Sequence, residues 1–349
     1  MPAFDAEILD PRDITDWDDQ VLNSPSCSVF HTAAWLRVLA DTYRYAPLYL
    51  VHRDAARLTW AVPLVEVRSA LTGTRGVSLP FTDFCPPWRH AREAPEPQGL
   101  REQCLQLGRA RRWRYIEFRG NVFGNDPPPA SAAYLEHTID LTPGEGQLFR
   151  SFRGSVRRAV RKGNRVGLET SFGCSQNQLA AFCRLNRLTR REHGLPPQPR
   201  RFFRHLHRHV LSCGMGQVVV ARHEGRPVAA AVFLHAGRNA LFKYGASDSS
   251  RQDLRANTHV MWEAIRWYAG RGYAKLSLGR TNERNEGLRR FKMSLHPDER
   301  RYRYFRYSYR AKAFLQNIAT VGHDGSAVLR RLPLGAAQLL GDLAYRHVG

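Results

Sequence analysis

Three runs set the architecture of the second half: Gln217-Val218-Val219-Val220-Ala221-Arg222, Val228-Ala229-Ala230-Ala231-Val232-Phe233-Leu234-His235 and Ala240-Leu241-Phe242-Lys243-Tyr244-Gly245-Ala246. They are apolar and rich in β-branched and aromatic residues, and the stretches between them, His223-Glu224-Gly225-Arg226 and Gly237-Arg238-Asn239, are turn sequences. An antiparallel meander is therefore expected. Working outward, the pattern predicts helices over Gln178–Arg191 and Arg201–Leu211 before the meander. After it come a helix from about Asn257 to Arg271, a strand Ala274–Leu278, a short helix Asn285–Met293 and a strand Tyr302–Tyr309.

The first half repeats this order. A helix over Ala33–Thr42 precedes strands Leu48–Arg53, Leu58–Val67 and Arg75–Phe81. A loop with Pro86, Pro87, Pro95 and Pro97 leads into a helix Leu100–Arg111, then strands Trp113–Phe118 and His137–Leu141. Three antiparallel strands, a crossover helix, a parallel strand and a closing helix and strand make one mixed-sheet α/β layer. Its appearance twice predicts a tandem duplication, with a first domain over residues 1–145, a second over 146–310 and a helical tail over 311–349. A length of 349 residues suits two such units.

Charge narrows the function classes. Lys and Arg number 53 against 31 Asp and Glu, a formal charge of +22, although Asp5, Glu7, Asp10, Asp13, Asp16, Asp18 and Asp19 crowd the amino end. Such an excess attracts polyanions, whether nucleic acid, an anionic membrane face or phosphorylated small substrates. An Arg-rich composition alone would give the same balance, so both readings stand. No basic and apolar leader opens the chain, and Val228–Leu234 is far shorter than the ~20 residues that span a bilayer, so a cytoplasmic protein is expected. Six cysteines without a CxxC pair signal neither a zinc site nor a disulfide framework.

Five motifs, in order along residues 29 to 309, add a family to this topology. They are Val29-Phe30-His31-Thr32-Ala33-Ala34-Trp35, Leu79-Pro80-Phe81-Thr82-Asp83, Ser155-Val156-Arg157-Arg158-Ala159-Val160-Arg161-Lys162, Gly245-Ala246-Ser247-Asp248 and Gly287-Leu288-Arg289-Arg290-Phe291-Lys292. With them the sequence resembles the FemAB-like branch of the GNAT acyltransferases. The resemblance implies an α/β chain of two tandem GNAT-type acyl-CoA N-acyltransferase folds, each a mixed, mostly antiparallel sheet flanked by helices. Members transfer an amino acid from aminoacyl-tRNA to a peptidoglycan precursor, and relatives of the same architecture are treated as acyl-CoA acyltransferases.

Within this frame the segment from Gly146 to Leu168 holds seven bases and no acid. Leu148, Phe152, Val156 and Val160 recur at spacing four, which predicts one amphipathic helix with a cationic side. Arg157, Arg158, Arg161 and Lys162 are its candidate phosphate-binding residues, since forked guanidinium donors suit a pyrophosphate. The Arg300–Arg310 stretch, with Tyr302, Tyr304, Tyr307 and Tyr309, reads either as an RNA contact or as an ordinary strand, and the fold needs a strand there.

Read alone, Lys292 is a surface lysine. The resemblance implies that Phe291-Lys292 marks the active site, with the lysine countering negative charge on the donor and the transition state. Asp83 is a candidate for holding an acceptor ammonium and helping to take its proton, or else a turn residue. Asp248, with Tyr244, is expected to shape the donor cleft. The stretch Ser249–Asn257 contains no glycine, unlike the pyrophosphate loop of acyl-CoA enzymes, which shifts weight towards a tRNA-borne donor. The absence of a long heptad arm weighs the other way. His205 and His209 share a helical face without an HExxH pattern, so no metal is expected. The tail Ala327–Tyr345 either docks on the core or contacts an anionic membrane.

The expected activity is amide formation by transfer of an aminoacyl group from aminoacyl-tRNA to a phosphorylated or lipid-linked amine of the cell-wall-precursor kind, with an acyl-CoA-dependent N-acyltransferase of exopolysaccharide or secondary metabolism as the competing enzyme and no permanently bound cofactor. A non-catalytic RNA-binding scaffold is the alternative from another class.

Overall fold

A computed structural model of the chain describes residues 6–24, 27–54, 57–91, 99–120, 123, 127–318 and 326–348. Pro95 and Pro97 of the expected proline-rich loop lie outside them. The chain divides into two compact units. One comprises Met1–Tyr134, Arg301–Val321 and Ala344–Gly349, the other Leu135–Arg300 and Gly322–Leu343. Two of the divisions fall inside strands Ala132–Asp140 and Asp298–Ser308, and another inside the helix Leu334–Val348.

In the first unit the long strand expected over Leu58–Val67 is two strands in two different sheets. Arg57–Val62 pairs with Tyr49–Asp54 and Trp88–Arg89, whereas Val65–Val67 pairs with Ala46–Pro47 and Arg75–Val77. Pro63 stands at the break, where a residue without an N–H cannot continue a ladder. Arg75–Val77 also stops earlier than expected, because Leu79 (φ 49°) and Phe81 (φ 63°) turn the chain through left-handed backbone. The helix Leu100–Ala110 crosses over from Arg75–Val77 to the parallel strand Tyr115–Arg119. Leu100, Cys104, Leu105 and Leu107 bury the inner face of that helix on Trp113, Ile116 and Phe118.

The second unit carries the anticipated meander as strands Gly216–His223, Arg226–Ala236 and Asn239–Ser247, with Glu169–Gly173 added at the edge. The helix Ala256–Ala269 lies on the alanine-rich middle strand, and its Val260, Ala264, Ile265 and Tyr268 share a core with Ala229, Ala231 and Phe233. Each large apolar side chain withdrawn from water there contributes roughly 1.5–3 kcal/mol.

The amphipathic segment after Gly146 is not one helix. Glu145–Ser151 and Gly154–Arg165 are separate, since Phe152 (ψ 148°) and Arg153 (ψ 146°) are extended. The break lowers the Phe152 ring against Trp262, edge to face at 5.6 Å, and lets Arg153 N–H donate to the Ser294 carbonyl. All four residues of the apolar stripe are buried nonetheless.

The tail forms helices Ala327–Arg331 and Leu334–Val348 on either side of Pro333. The second docks through small residues: a Cβ on Gly341 would lie 2.0 Å from the Pro197 carbonyl oxygen. Gly341→Ala is therefore expected to cost about 1–3 kcal/mol of docking, read as faster limited proteolysis of the tail and a lower melting temperature.

Candidate active site

In the second unit, Asn239–Ser247 runs parallel to Lys275–Asn282, but the two pair only between Asn239–Leu241 and Lys275–Ser277. Past Leu241 the strands lack a shared ladder, so one edge of the meander presents backbone donors and acceptors without that partner. A cleft of about 590 Å³ opens here, lined by Phe242, Gly245, Ala246, Ser247, Asp248 and Phe291 among others. Local hydrogen bonds hold its wall. Thr189 Oγ1 donates to the Ser247 carbonyl and accepts from its N–H, and Asn257 Nδ2 donates to Ser247 Oγ.

The loop closing the cleft is a short 3-10 turn over Ser249–Leu254, capped by Asp248, whose Oδ1 accepts from the N–H and the hydroxyl of Ser250. Arg255 is left-handed (φ 57°) and passes directly into the helix at Ala256. The conformation associated with glycine is thus built by an arginine, so the missing glycine does not remove a helix start from this position. Arg251, Arg255, Ala256, Asn257 and Thr258 all line the cleft. A helix start, the positive end of its dipole, beside two guanidinium groups favours an anion, although the Thr258 N–H already donates to the Arg255 carbonyl.

A second cleft, of about 470 Å³, is lined by Ser155, Arg158, Lys162, Arg255, Thr258, Phe291 and Ser294. Arg255, Thr258 and Phe291 border both clefts. Of the expected phosphate-binding residues, Arg158 and Lys162 line this one. Arg157 instead turns its Nη1 to the carbonyls of Arg150 (2.6 Å) and Phe152 (3.1 Å), capping the helix before it. Arg161 is exposed and lines neither cleft. Tyr244 also lies away from the cleft, among Phe182, Phe202 and Phe203.

Lys292 is buried, not on the surface, at 3% exposure. Its Nζ donates to the Gly279 carbonyl at 2.8 Å and approaches that of Arg280 at 3.4 Å, within the strand Lys275–Asn282, and the residue lines neither cleft. Next to it in sequence, Phe291 faces both clefts. Beneath lies a polar chain that spacing did not reveal. His137 Nε2 is 2.9 Å from Glu299 Oε2, and Arg289 forks onto the same carboxylate at 2.8 and 2.6 Å. Burial, and then the nearby Lys292 charge, lower the His137 pKa, so the neutral ring donates from Nε2 to Glu299. The Arg289 hydrogen bond in turn holds the Glu299 carboxyl below its ordinary range.

Asp83 belongs to the first unit. Its loop is tied down through the backbone: Tyr304 OH donates to the Asp83 carbonyl, and Cys85 N–H to that of Arg119. His31, from the first resemblance motif, reaches Pro86 O at 2.9 Å. Burial lowers the His31 pKa to about 4, so it serves this anchor as a neutral donor. The Arg300–Arg310 stretch is a strand with Tyr304 and Tyr307 buried, as the simpler reading expected. His205 and His209 rings stand 6.1 Å apart, and among the described residues no cluster of three metal-ligand side chains occurs.

Sequence reasoning passed over Thr189, Glu192 and His193, which complete the cleft with Arg251 and Arg255, the two arginines of the glycine-free stretch that could bind phosphate through their side chains. None sits in a motif. Their role follows from the carboxyl end of helix Gln176–Glu192 meeting the end of the meander's third strand.

A GNAT acetyltransferase domain profile matches residues 150–293, the stretch that holds both clefts. No curated protein matches the sequence significantly. Among solved structures the chain is similar to FemX, at a TM-score of 0.66 and 12% identity over 85% of this chain and 96% of that one. A tandem GNAT protein from the clavulanic acid biosynthesis pathway gives 0.56 and 12%, over 87% and 98%. L-PGS from Bacillus licheniformis gives 0.55 and 12%, over 87% and 94%. Identities this low speak for the fold alone. Residues 150–293 are thus a GNAT acetyltransferase domain, in a chain with the fold of FemX and the tandem GNAT proteins, and the protein is an acyltransferase.

Proposed function

We propose that the protein forms an amide by moving an acyl group from a phosphate-bearing donor, bound in the 590 Å³ cleft, to an amine. The observation that carries this reading is the parting of Asn239–Ser247 from Lys275–Asn282 directly beside the helix start at Arg255–Ala256. An acyl chain between the strands meets backbone groups, while the donor's phosphates meet N–H groups, Arg251 and Arg255. The acceptor nitrogen attacks the carbonyl carbon, the C–N bond forms and negative charge builds on oxygen. Collapse then breaks the bond to the donor's sulfur or ester oxygen, and the ammonium proton passes to a base. Glu192, His193 and Asp248 line the cleft and are the side chains there that can take the proton. Lys292, buried next to the cleft-lining Phe291, is proposed to favour the transition state through its charge.

The helix start favours acyl-CoA as the donor. Aminoacyl-tRNA is the second reading, favoured by Arg158 and Lys162 in the adjoining cleft and by the likeness to FemX. It brings with it an acceptor of the cell-wall-precursor kind. Radiolabelled acyl-CoA and aminoacyl-tRNA, each supplied with a panel of amines, separate the two: RNase-sensitive transfer selects tRNA, and transfer from acyl-CoA alone selects CoA. Arg255→Gln is expected to raise the donor KM roughly tenfold while kcat changes by less than about threefold. A donor KM equal to that of the parent would remove this cleft as the donor site.

A further inference from the structure

The helix Leu334–Val348 is amphipathic the wrong way round for a helix that packs on a core. Its inner face carries Ala337, Gln338 and Gly341. Gln338 is only 4% exposed and donates to the Gln198 carbonyl and to Asp342. Its outer face carries Leu339 (65% exposed), Leu340 (44%) and Leu343 (66%). Spacings of three and four put these leucines on one stripe. Val328, in the short helix before Pro333, is 68% exposed as well. Four of the six large apolar side chains exposed among the described residues therefore fall within one stretch of the tail.

Charge says what covers this stripe. Between Ser326 and Val348 stand Arg330, Arg331 and Arg346 and one acid, Asp342. Asp342 is engaged inward, accepting from Gln338 and from the Arg200 N–H. The tail thus combines an outward leucine stripe with three exposed arginines and a single, inward-engaged acid, on a protein of formal charge +22. A water-exposed leucine stripe is unfavourable, and arginines along it would repel a second copy of the same stripe. An anionic bilayer surface satisfies both features, with leucines in the acyl boundary and guanidinium groups among the headgroups. No described helix is long and apolar enough to cross a membrane, and this one needs only to lie along its surface.

We propose that the tail helix Leu334–Val348 is an interfacial membrane-binding element that holds the protein on anionic lipid. This attachment is independent of which donor the enzyme uses.

The test is co-sedimentation of the full chain with vesicles of phosphatidylglycerol and phosphatidylcholine, or of phosphatidylcholine alone, at 0.1 and about 0.5 M salt. High salt screens attraction from the rest of the basic surface, so the residual binding reports insertion. The wild type is expected to bind anionic vesicles at both salt levels and neutral ones at least about tenfold more weakly. Leu339→Gln with Leu343→Gln should lose about tenfold or more of the high-salt binding. Because both side chains are exposed, the melting temperature should stay within about 1 °C. Arg330→Gln with Arg331→Gln should narrow the difference between the two lipids. Equal binding by the wild type and the double leucine variant would overturn the proposal. So would a wild type that ignores vesicles, including one that elutes as a dimer dissociated by the leucine substitutions.

Discussion

Lys292→Met is expected to lower turnover by about a hundredfold or more and the melting temperature by several degrees. The stability part follows from burial. At 3% exposure the ammonium serves the carbonyls of Gly279 and Arg280. A thioether fills most of the space but donates nothing, and each buried carbonyl left bare costs about 1–3 kcal/mol. Two of them total about 2–6 kcal/mol, or ~4–24 °C at the size of the second unit. The catalytic part follows from position. The Gly279-Arg280 backbone lies within the strand Lys275–Asn282, past its last pairing with Asn239–Leu241, and Phe291, next to Lys292 in sequence, lines the cleft. On the proposed reading, a charge fixed there stabilises the carbonyl oxygen as it becomes negative, for which losses of about 10²–10³ are usual. The two parts separate experimentally. If kcat/KM at 20 °C stays within about threefold of the wild type while the protein melts early, Lys292 is structural only.

Glu117→Gln should cost about 3–5 kcal/mol without touching either cleft of the second unit. Glu117 is a buried carboxylate of the first unit, bonded by Arg119 at 3.0 Å and by Arg306. Neutralising it strands two poorly hydrated guanidinium groups. Its titration tells the same story. Burial alone would raise the carboxyl pKa, but Arg119 and Arg306 more than offset it and hold the value at about 2. A depressed carboxyl stabilises the fold above the ordinary carboxylate range, and that contribution disappears as pH falls through the range towards 2. On the order of 3 kcal/mol is involved. Acid unfolding of the wild type should therefore steepen between about pH 4.5 and 2, and the Glu117→Gln variant, less stable at pH 7, should show a flatter acid limb. Parallel limbs for the two proteins would mean that the pair is not coupled to folding.

The meander was legible because its information is local. Runs such as Val218–Ala221 and Val228–Leu234 alternate with glycine turns, and a strand of that kind has few other places to go. Helix Glu286–Met293 was legible for the same reason. Where the reading slipped, a single residue overrode a good pattern. Pro63 split a strand that hydropathy drew as one, and extended Phe152 and Arg153 broke a helix whose stripe of four was otherwise intact. A left-handed arginine at 255 supplied a loop that the absence of glycine argued against.

The site was less legible than the fold, since its parts come from separate stretches. Phe291 and Asp248 were found through motifs, and they do line the cleft. Thr189, Glu192 and His193 lie at a helix end, and nothing nearby in sequence marks them as facing Ser247, 58 residues away from Thr189. Nor does composition reveal whether a given arginine faces a ligand. Arg157 and Arg158 are neighbours in one basic run, yet one caps a helix and the other borders a cleft.

Short-range chemistry in the chain was thus enough to establish the meander, most of the helices and a strongly cationic character, while the resemblance of its motifs to a family named the kind of enzyme to look for. Packing settled the rest: which bases are free, that Lys292 is buried on carbonyls, and that the tail turns Gln338 inward and its leucines outward. The physical reason is that secondary structure follows from neighbours a few residues apart. The solvation and partners of a side chain depend on surfaces brought together from distant parts of the sequence, and periodicity carries no record of them.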